Sequence, residues 1–382
     1  MRAATSSVLS DADRVAWLRL ARSEGVGPAT FRDLIERFGT AEAALAALPD
    51  LARRAGRDRP PRIQSRARAE DELASLAKLG GGIVASCEPA YPEALAAISD
   101  APPILTWRGD PGLLARPAIA IVGARNASAG GCRIAGTLAR ELGEAGLVVV
   151  SGLARGIDAA AHRGALASGT IAVFAGGIDV VYPAENGVLA AAIAERGVLL
   201  AELAPGTQPL ARNFPRRNRI VSGLARGTLV VEAAIRSGSL TTARLAAEQG
   251  REVMAIPGSP LDPRCRGANR LIRDGAALVE EAGDILEILG PVAVPVNRTL
   301  HPKPSLPDIS PTPAPESQTI DKTGENTAAT ILERLGPTPV PVDELIRQCS
   351  FSAPLVRTVL LELELEGRLE RHPGDRVSML PN

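Results

Sequence analysis

From Ala118 to Leu289 short runs of β-branched and apolar residues recur, each followed by an amphipathic stretch, and this alternation restricts the fold more than any other feature. The runs are AIAIVG, LVVVSG, TIAVFAGG, VLLAE, TLVVEA, EVMAIPG and AALVE. Strands that alternate with helical stretches are joined by crossovers, which leave neighbouring strands parallel. Seven such units predict an α/β core: a Rossmann-like, doubly wound, mostly parallel sheet with right-handed crossovers.

The rest of the 382 residues flank this core. Eight prolines between Pro291 and Pro315, among Ser and Thr, predict a semi-extended linker over 291–322. The segment APPILTWRGDP interrupts helix-like sequence with turn residues, which places a first boundary at 105/106. The expected organisation is a helical module over 1–105, the core over 106–290, the linker, and a small winged-helix-like domain over 323–382. In the first module Gly25-Val26-Gly27-Pro28 reads as a tight turn between helices, with Pro28 in the first turn of the second. That pattern fits a helix-hairpin-helix, whose amides can hold a phosphate, although for one unpaired hairpin a plain helical corner is the commoner explanation. The seven arginines from Arg53 to Arg68 read as a solvated face.

Composition removes several classes of function. No apolar run approaches the roughly 20 residues of a membrane span. The start, MRAATSSVLSDADR, has no apolar stretch of the kind a secretory leader needs, so the cytoplasm is the expected compartment. Cys87, Cys132, Cys265 and Cys349 form no CxxC, and His162, His301 and His372 share no ligand spacing with them, so neither a metal nor a cofactor is expected. Lys+Arg 43 and Asp+Glu 43 cancel, so an anionic partner must be drawn by local clustering of charge.

That clustering sits where ligands bind in open α/β sheets, beyond the carboxyl ends of the strands. Gly123-Ala124-Arg125-Asn126 follows the first run, and Ser151-Gly152-Leu153-Ala154-Arg155-Gly156 follows the second. Ser237-Gly238-Ser239 follows the fifth, and Gly176-Gly177 the third. Free amides at a helix start, with glycine allowing close approach and an Arg in the same turn, make an anion site. Between Glu202 and Glu232 there is no acidic residue, while Arg212, Arg216, Arg217, Arg219 and Arg226 supply five positive charges around Phe214. Together these loops predict a phosphate-bearing ligand. Neither GxGxxG nor GxxxxGK[ST] is present, so dinucleotides and nucleoside triphosphates lose their fingerprints. Ser151 lacks the GxSxG elbow, and Asp158 with His162 is an i, i+4 pair expected to order a helix surface.

IVGARNASAGG, VVVSGLARGIDAAAH, FAGGIDVVYPAEN, FPRRNRIVSGLA, VVEAAIRSGSLTTARLAAEQGREVMAIPG and GANRLIRDGA, in this order, resemble the DNA-processing protein A (DprA or Smf) family. The resemblance implies a Rossmann-like core that binds single-stranded DNA, forms a homodimer and loads RecA recombinase in natural transformation, without catalysis. Carried over residue by residue, it implies a DNA pocket at Gly123, Arg125, Ser151, Gly152, Arg155, Gly156, Phe214, Arg216, Arg217, Asn218 and Arg219, with Ser237, Gly238 and Ser239 nearby. After the linker, TAATILERL, PVDELIRQC and APLVRTVLLELELEGRLERHPGDRVSML resemble the three helices and β-wing of a winged helix. The expected recognition helix, Ala353 to Gly367, carries Glu362, Glu364 and Glu366 against Arg357 alone, which favours a protein partner over a DNA groove. The alternative function is a small-nucleotide enzyme of the phosphoribohydrolase type on a similar core. Its PGGxGTxxE signature is not matched, because Glu248 is misplaced relative to Thr242.

Overall fold

A computed structural model describes residues 8–55, 59–291, 324–349 and 351–380. The chain divides into a large unit, 1–127 with 131–292, and a small C-terminal one within 293–382.

The large unit begins with four helices: α1 (Asp11–Ala21), α2 (Pro28–Phe38), α3 (Ala41–Arg54) and α4 (Arg66–Lys78). Ser10, Thr40 and Ser65 cap α1, α3 and α4 by accepting a backbone N–H three residues on, which satisfies a donor that the first turn leaves unpaired. Gly27 precedes α2 with Pro28 in its first turn, the tight turn expected from the sequence. Trp17 and Phe31 meet with ring centroids 4.9 Å apart. Leu18, Leu20, Leu45 and Leu76 complete a core that is continuous with one face of the sheet through Ile83, Leu153 and Phe174.

Two strands then precede those read from the sequence. β1 (Gly81–Ala85) and β2 (Ile104–Gly109), separated by the short α5 (Glu93–Ala96), pair antiparallel, and β2 pairs antiparallel with β6 (Val198–Ala201). The expected boundary at 105/106 therefore falls inside a strand. Pro102 and Pro103 turn the chain into the sheet, where Ile104 and Leu105 are buried in the cores on the two opposite faces and Thr106 is buried between β1 and β6.

All seven expected strands form. β3 (Ala118–Gly123), β4 (Val148–Ser151) and β5 (Thr170–Phe174) lead to β6 through α6 (Ala129–Glu144), α7 (Ile157–Ala165) and α8 (Gly187–Arg196). After α9 (Asn213–Leu224) the chain returns to the other side of β3 as β7 (Gly227–Val231). α10 (Gly238–Glu248), β8 (Glu252–Ala255), α11 (Arg266–Arg273), β9 (Ala277–Leu278) and α12 (Ala282–Leu289) follow. The order is β1-β2-β6-β5-β4-β3-β7-β8-β9. β3 through β9 are mutually parallel wherever they pair, so the core is Rossmann-like and doubly wound. Side chains alternate across the pleat: Ala118, Ala120 and Val122 pack with Ile220 and Val221, whereas Ile119 and Ile121 pack with Leu138, Leu142 and Ile157.

The small unit is a winged helix. α13 (Gly324–Arg334), α14 (Val342–Cys349) and α15 (Ala353–Leu365) enclose Ile331, Leu345, Val356, Leu360 and Leu363. β10 (Val340–Pro341), β11 (Leu369–His372) and β12 (Arg376–Met379) form the antiparallel wing in the order β10-β12-β11. Of the expected linker, 292–322 lies outside the described residues. Among the described residues no helix is long and apolar enough to cross a membrane.

Candidate nucleic-acid interface

Strand order reverses between β3 and β7, and there the loops that leave the two strands diverge and open a crevice. A cavity of about 900 Å³ occupies this point. Its walls are the β3 end (Gly123 to Asn126), Gly152 after β4, one face of α9, and the loop from Ala234 to Ser239 that starts α10.

Each loop is fixed by identifiable contacts. A side chain at Gly123 would collide with the Val231 carbonyl at 1.9 Å, so glycine there lets β3 and β7 lie close beneath the cavity. Gly156 has φ +69°, and a Cβ there would stand 2.3 Å from the Ala124 carbonyl. Only glycine meets both demands. The next residue, Ile157, donates its N–H to that carbonyl, which ties the start of α7 to the β3 loop. Ser151 is fully buried and donates its hydroxyl to the Ile121 carbonyl at 2.7 Å. Asp158 accepts the Gly152 and Ala154 amides at 3.1 and 3.3 Å, and Asn186 donates to the Leu153 carbonyl at 2.9 Å. Ser237 caps α10 by accepting the Ser239 amide, and its hydroxyl lies 2.6 Å from that of Ser239.

Among the described residues the charged groups lining the cavity are Arg125, Arg217, Arg236, Arg264 and one carboxylate, Asp158. Arg217 is buried against Gly152, donates to the Val173 carbonyl at 2.9 Å, and keeps its Nε without a partner. Loss of hydration lowers its pKa to about 10, opposed by the Asp158 charge, so the guanidinium stays cationic at neutral pH. Burial pushes the Asp158 carboxyl upward, against the pull of Arg217 and the two amides. Arg125 is exposed, with its guanidinium carbon 5.3 Å from the Phe214 ring centre. Phe214 in turn meets Tyr182 edge-on at 5.7 Å. No carboxylate lies within ion-pair distance of Arg125 or Arg236 among the described residues. Two unneutralised guanidiniums, a buried third and an aromatic pair can hold phosphates along one wall and a base against the other.

Of the residues expected in the pocket, Gly123, Arg125, Gly152, Phe214, Arg217, Asn218, Ser237, Gly238 and Ser239 line this cavity. The others do not. Arg155 points to solvent, paired with Glu185 at 2.7 Å. Ser151 and Gly156 shape the loop from beneath. Arg219 is buried on the opposite side of α9, where it pairs with Glu202 at 2.6 Å and Asp100 at 3.4 Å. Arg216 lies 3.7 Å from the same Glu202. The reason is helical geometry: Phe214, Arg217, Asn218 and Val221 share a face at i, i+3, i+4 and i+7, while Arg216 and Arg219 face away. Arg226 also leaves the site, donating to the carbonyls of Leu289 and Pro291.

The sequence reading missed Tyr182, Arg236 and Arg264. Arg236 stands beside the recognised Ser237-Gly238-Ser239 motif and was legible from it. Arg264 reaches the cavity from the loop before α11, held by Asp262 at 2.8 Å, with no local signature. Asp158 and His162 are both buried, contrary to the expected surface pair, because α7 packs against β3 and β4. His162 instead contacts Thr170 at 2.8 Å, and burial pushes its pKa down to about 3. The ligand atoms of Glu232, Asp262 and Cys265 lie within 4.8 Å of one another, but the Arg264 cation already spans both oxygens of Asp262. Glu248 stands exposed on the last turn of α10, paired with Arg244 at 2.8 Å and outside the cavity lining.

The sequence of this core matches the profile of DNA recombination-mediator protein A over residues 82–290. Protein Smf of Escherichia coli (strain K12) is 40% identical over 292 residues, which cover 76% of this chain and 75% of that protein. The chain belongs to the DNA recombination-mediator protein A family. Its flanking parts match two further profiles, a DprA-like N-terminal HHH domain over 11–75 and a DprA winged helix domain over 310–375. DNA processing protein DprA of Streptococcus pneumoniae (strain ATCC BAA-255 / R6) is 47% identical over 198 residues, 51% of this chain and 70% of that one. The X-ray structure of DNA processing protein A from Streptococcus pneumoniae superposes with a TM-score of 0.61 at 36% identity, covering 73% of this chain and 98% of that one. In the terms of this family, the cavity at the β3–β7 switch point lies wholly within the recombination-mediator core.

Proposed function

We propose that the chain is a non-catalytic single-stranded DNA binder that works in the cytoplasm as a homodimer, protects incoming strands and loads RecA recombinase onto them in natural transformation. The observation that carries this reading is the open cavity where Arg125, Arg217 and Arg236 converge beside the α10 N-terminus and the Phe214–Tyr182 pair. Guanidiniums and amides grip phosphates without reading sequence, and an aromatic face accepts any base. Membership of a recombination-mediator family supports RecA as the protein that receives the strand. The absence of catalysis is supported by the state of the polar groups: the Ser151 hydroxyl is spent on a backbone carbonyl, and His162 turns to Thr170.

The test is a salt titration of binding to single-stranded DNA, duplex DNA and mononucleotides of the same composition. Single-stranded DNA should bind best, with an affinity that falls steeply as salt rises and varies little with base sequence. Selectivity for a mononucleotide would reverse the reading in favour of a small-nucleotide enzyme. RecA filament formation on single-stranded DNA, measured with and without the chain, tests the loading role. Sedimentation of the full chain tests the dimer.

A further inference from the structure

The winged-helix unit carries an exposed surface that suits no nucleic acid. On α15 the inward positions Val356, Val359, Leu360 and Leu363 are buried, which leaves the opposite face to solvent. Two leucines stand on that face one turn apart, Leu361 at 50% and Leu365 at 80% exposure. Leu380, 37% exposed, follows β12 at the same end of the unit, its N–H donated to the Arg368 carbonyl just beyond α15. Helix positions i and i+4 are neighbours, so the two leucines form one apolar ridge.

Charge around the ridge is mainly negative: Arg357, one turn before Leu361, and Arg368, just beyond the helix, are both engaged by carboxylates. Glu362 and Glu366 adjoin it in sequence and are exposed. Glu362 has no arginine within ion-pair distance among the described residues, and Glu366 has only Arg368 at 3.3 Å. The one cation of α15, Arg357, is held by Asp375 at 3.1 Å. Over 324–349 and 351–380 nine carboxylates stand against six arginines and no lysine. A winged helix that reads duplex DNA lays this helix in the major groove between two rows of phosphates. Here an acidic, leucine-bearing helix would meet those phosphates with repulsion and would place apolar surface against charge.

We propose that the α15 face is a protein-docking surface whose occupant is a partner segment with apolar side chains flanked by Lys or Arg, most simply a basic amphipathic helix. The two leucines supply the apolar contact, and Glu362 with Glu366 supplies the complementary charge that sets orientation and excludes acidic partners. The inference is independent of the DNA cavity, because every residue it uses lies on the winged-helix unit.

The experiment uses the full chain and two fluorescent probe peptides with the same leucine face, one with lysine and one with glutamate at its polar positions. The lysine peptide should bind and the glutamate peptide should not. Leu361→Ser/Leu365→Ser and Glu362→Gln/Glu366→Gln should each weaken the lysine peptide about tenfold or more, since few central contacts carry most of an interface. All four positions are exposed, so thermal melts of both variants should match the parent. Single-stranded DNA affinity should also be unchanged. An affinity for the lysine peptide that ignores both double variants would overturn the proposal. So would loss of self-association in the leucine variant, which would make a second copy the occupant, or a loss of duplex DNA affinity there, which would make the face a DNA surface.

Discussion

Replacing Arg125 by alanine removes a guanidinium that stands at the cavity mouth, 5.3 Å from the Phe214 ring and unneutralised by any carboxylate among the described residues. A charge-assisted hydrogen bond to phosphate contributes about 1.5 to 3 kcal/mol, which corresponds to a loss of about 10- to 150-fold in affinity. The salt dependence should change as well. Each phosphate contact on a single strand contributes about 0.7 to the slope of log K against log salt, so the variant should bind with a slope shallower by about that amount. Arg155→Ala is the matched control. It removes the same charge from a neighbouring loop, but Arg155 is 60% exposed, already paired with Glu185, and outside the cavity lining. Its loss should cost well under about 1 kcal/mol. Fluorescence anisotropy with a labelled oligothymidylate at four salt concentrations measures both quantities for both variants. Equal losses at the two positions, or a slope that Arg125→Ala leaves unaltered, would mean diffuse attraction with no defined phosphate site and would refute the cavity assignment.

Arg219→Ala should act on stability more than on binding: it removes the main partner of the largely covered Glu202 carboxylate, a loss on the order of 3 kcal/mol, and should lower the melting temperature of this unit by roughly 6 to 12 °C in a thermal melt. A melt identical to the parent would show that Arg216, 3.7 Å from Glu202, takes over the pair. His162 supplies a pH dependence, because burial drives its folded-state pKa from 6.5 to about 3. Below pH 6.5 the unfolded chain takes up a proton that the folded chain refuses, so stability falls as pH drops from about 6.5 toward 3. By this linkage the residue should account for about 2 kcal/mol of lost stability between pH 7 and pH 5. Urea unfolding of His162→Gln should show a pH dependence smaller by that amount, and an unchanged one would refute the assignment. Deleting everything after Pro291 should leave single-stranded DNA affinity within about twofold of the full chain, since the cavity lies entirely in the large unit and surface interactions remote from it contribute little. A large loss in the same anisotropy assay would place DNA contacts on the winged helix.

Much of the fold was legible because strands of a parallel sheet are buried on both faces. AIAIVG, LVVVSG and TLVVEA each hold an unbroken apolar run with no polar residue alternating within it, and each formed the expected strand. Pro28 and Gly27 marked the start of α2 for a purely local reason, a fixed φ and an N–H that the first turn does not need. β1 and β2 escaped notice because GGIVA and ILTWRG each carry only half a strand's apolar signal. Their place in the sheet comes from antiparallel pairing of β1 to β2 and of β2 to β6, a partner about a hundred residues away. No local pattern encodes that distance.

The site divides along the same line. By itself the sequence determined which loops carry glycine, serine and arginine, because strand-end glycines and helix-start serines answer to backbone geometry within a few residues, as Gly156 and Ser237 do. It also contained the sorting of the α9 arginines, whose helical spacing sends Arg217 toward the cavity and Arg219 toward Glu202. Only the tertiary structure decided where the strand order reverses, and hence that the loops after β3 and β7 part to open a cavity. It alone brought Tyr182 to Phe214 and carried Arg264 into the lining from a loop without a motif. The physical reason is that a chain fixes its own φ, ψ and burial period locally. Which distant loops share a crevice depends on strand order, set by packing helices on both faces of the whole sheet at once.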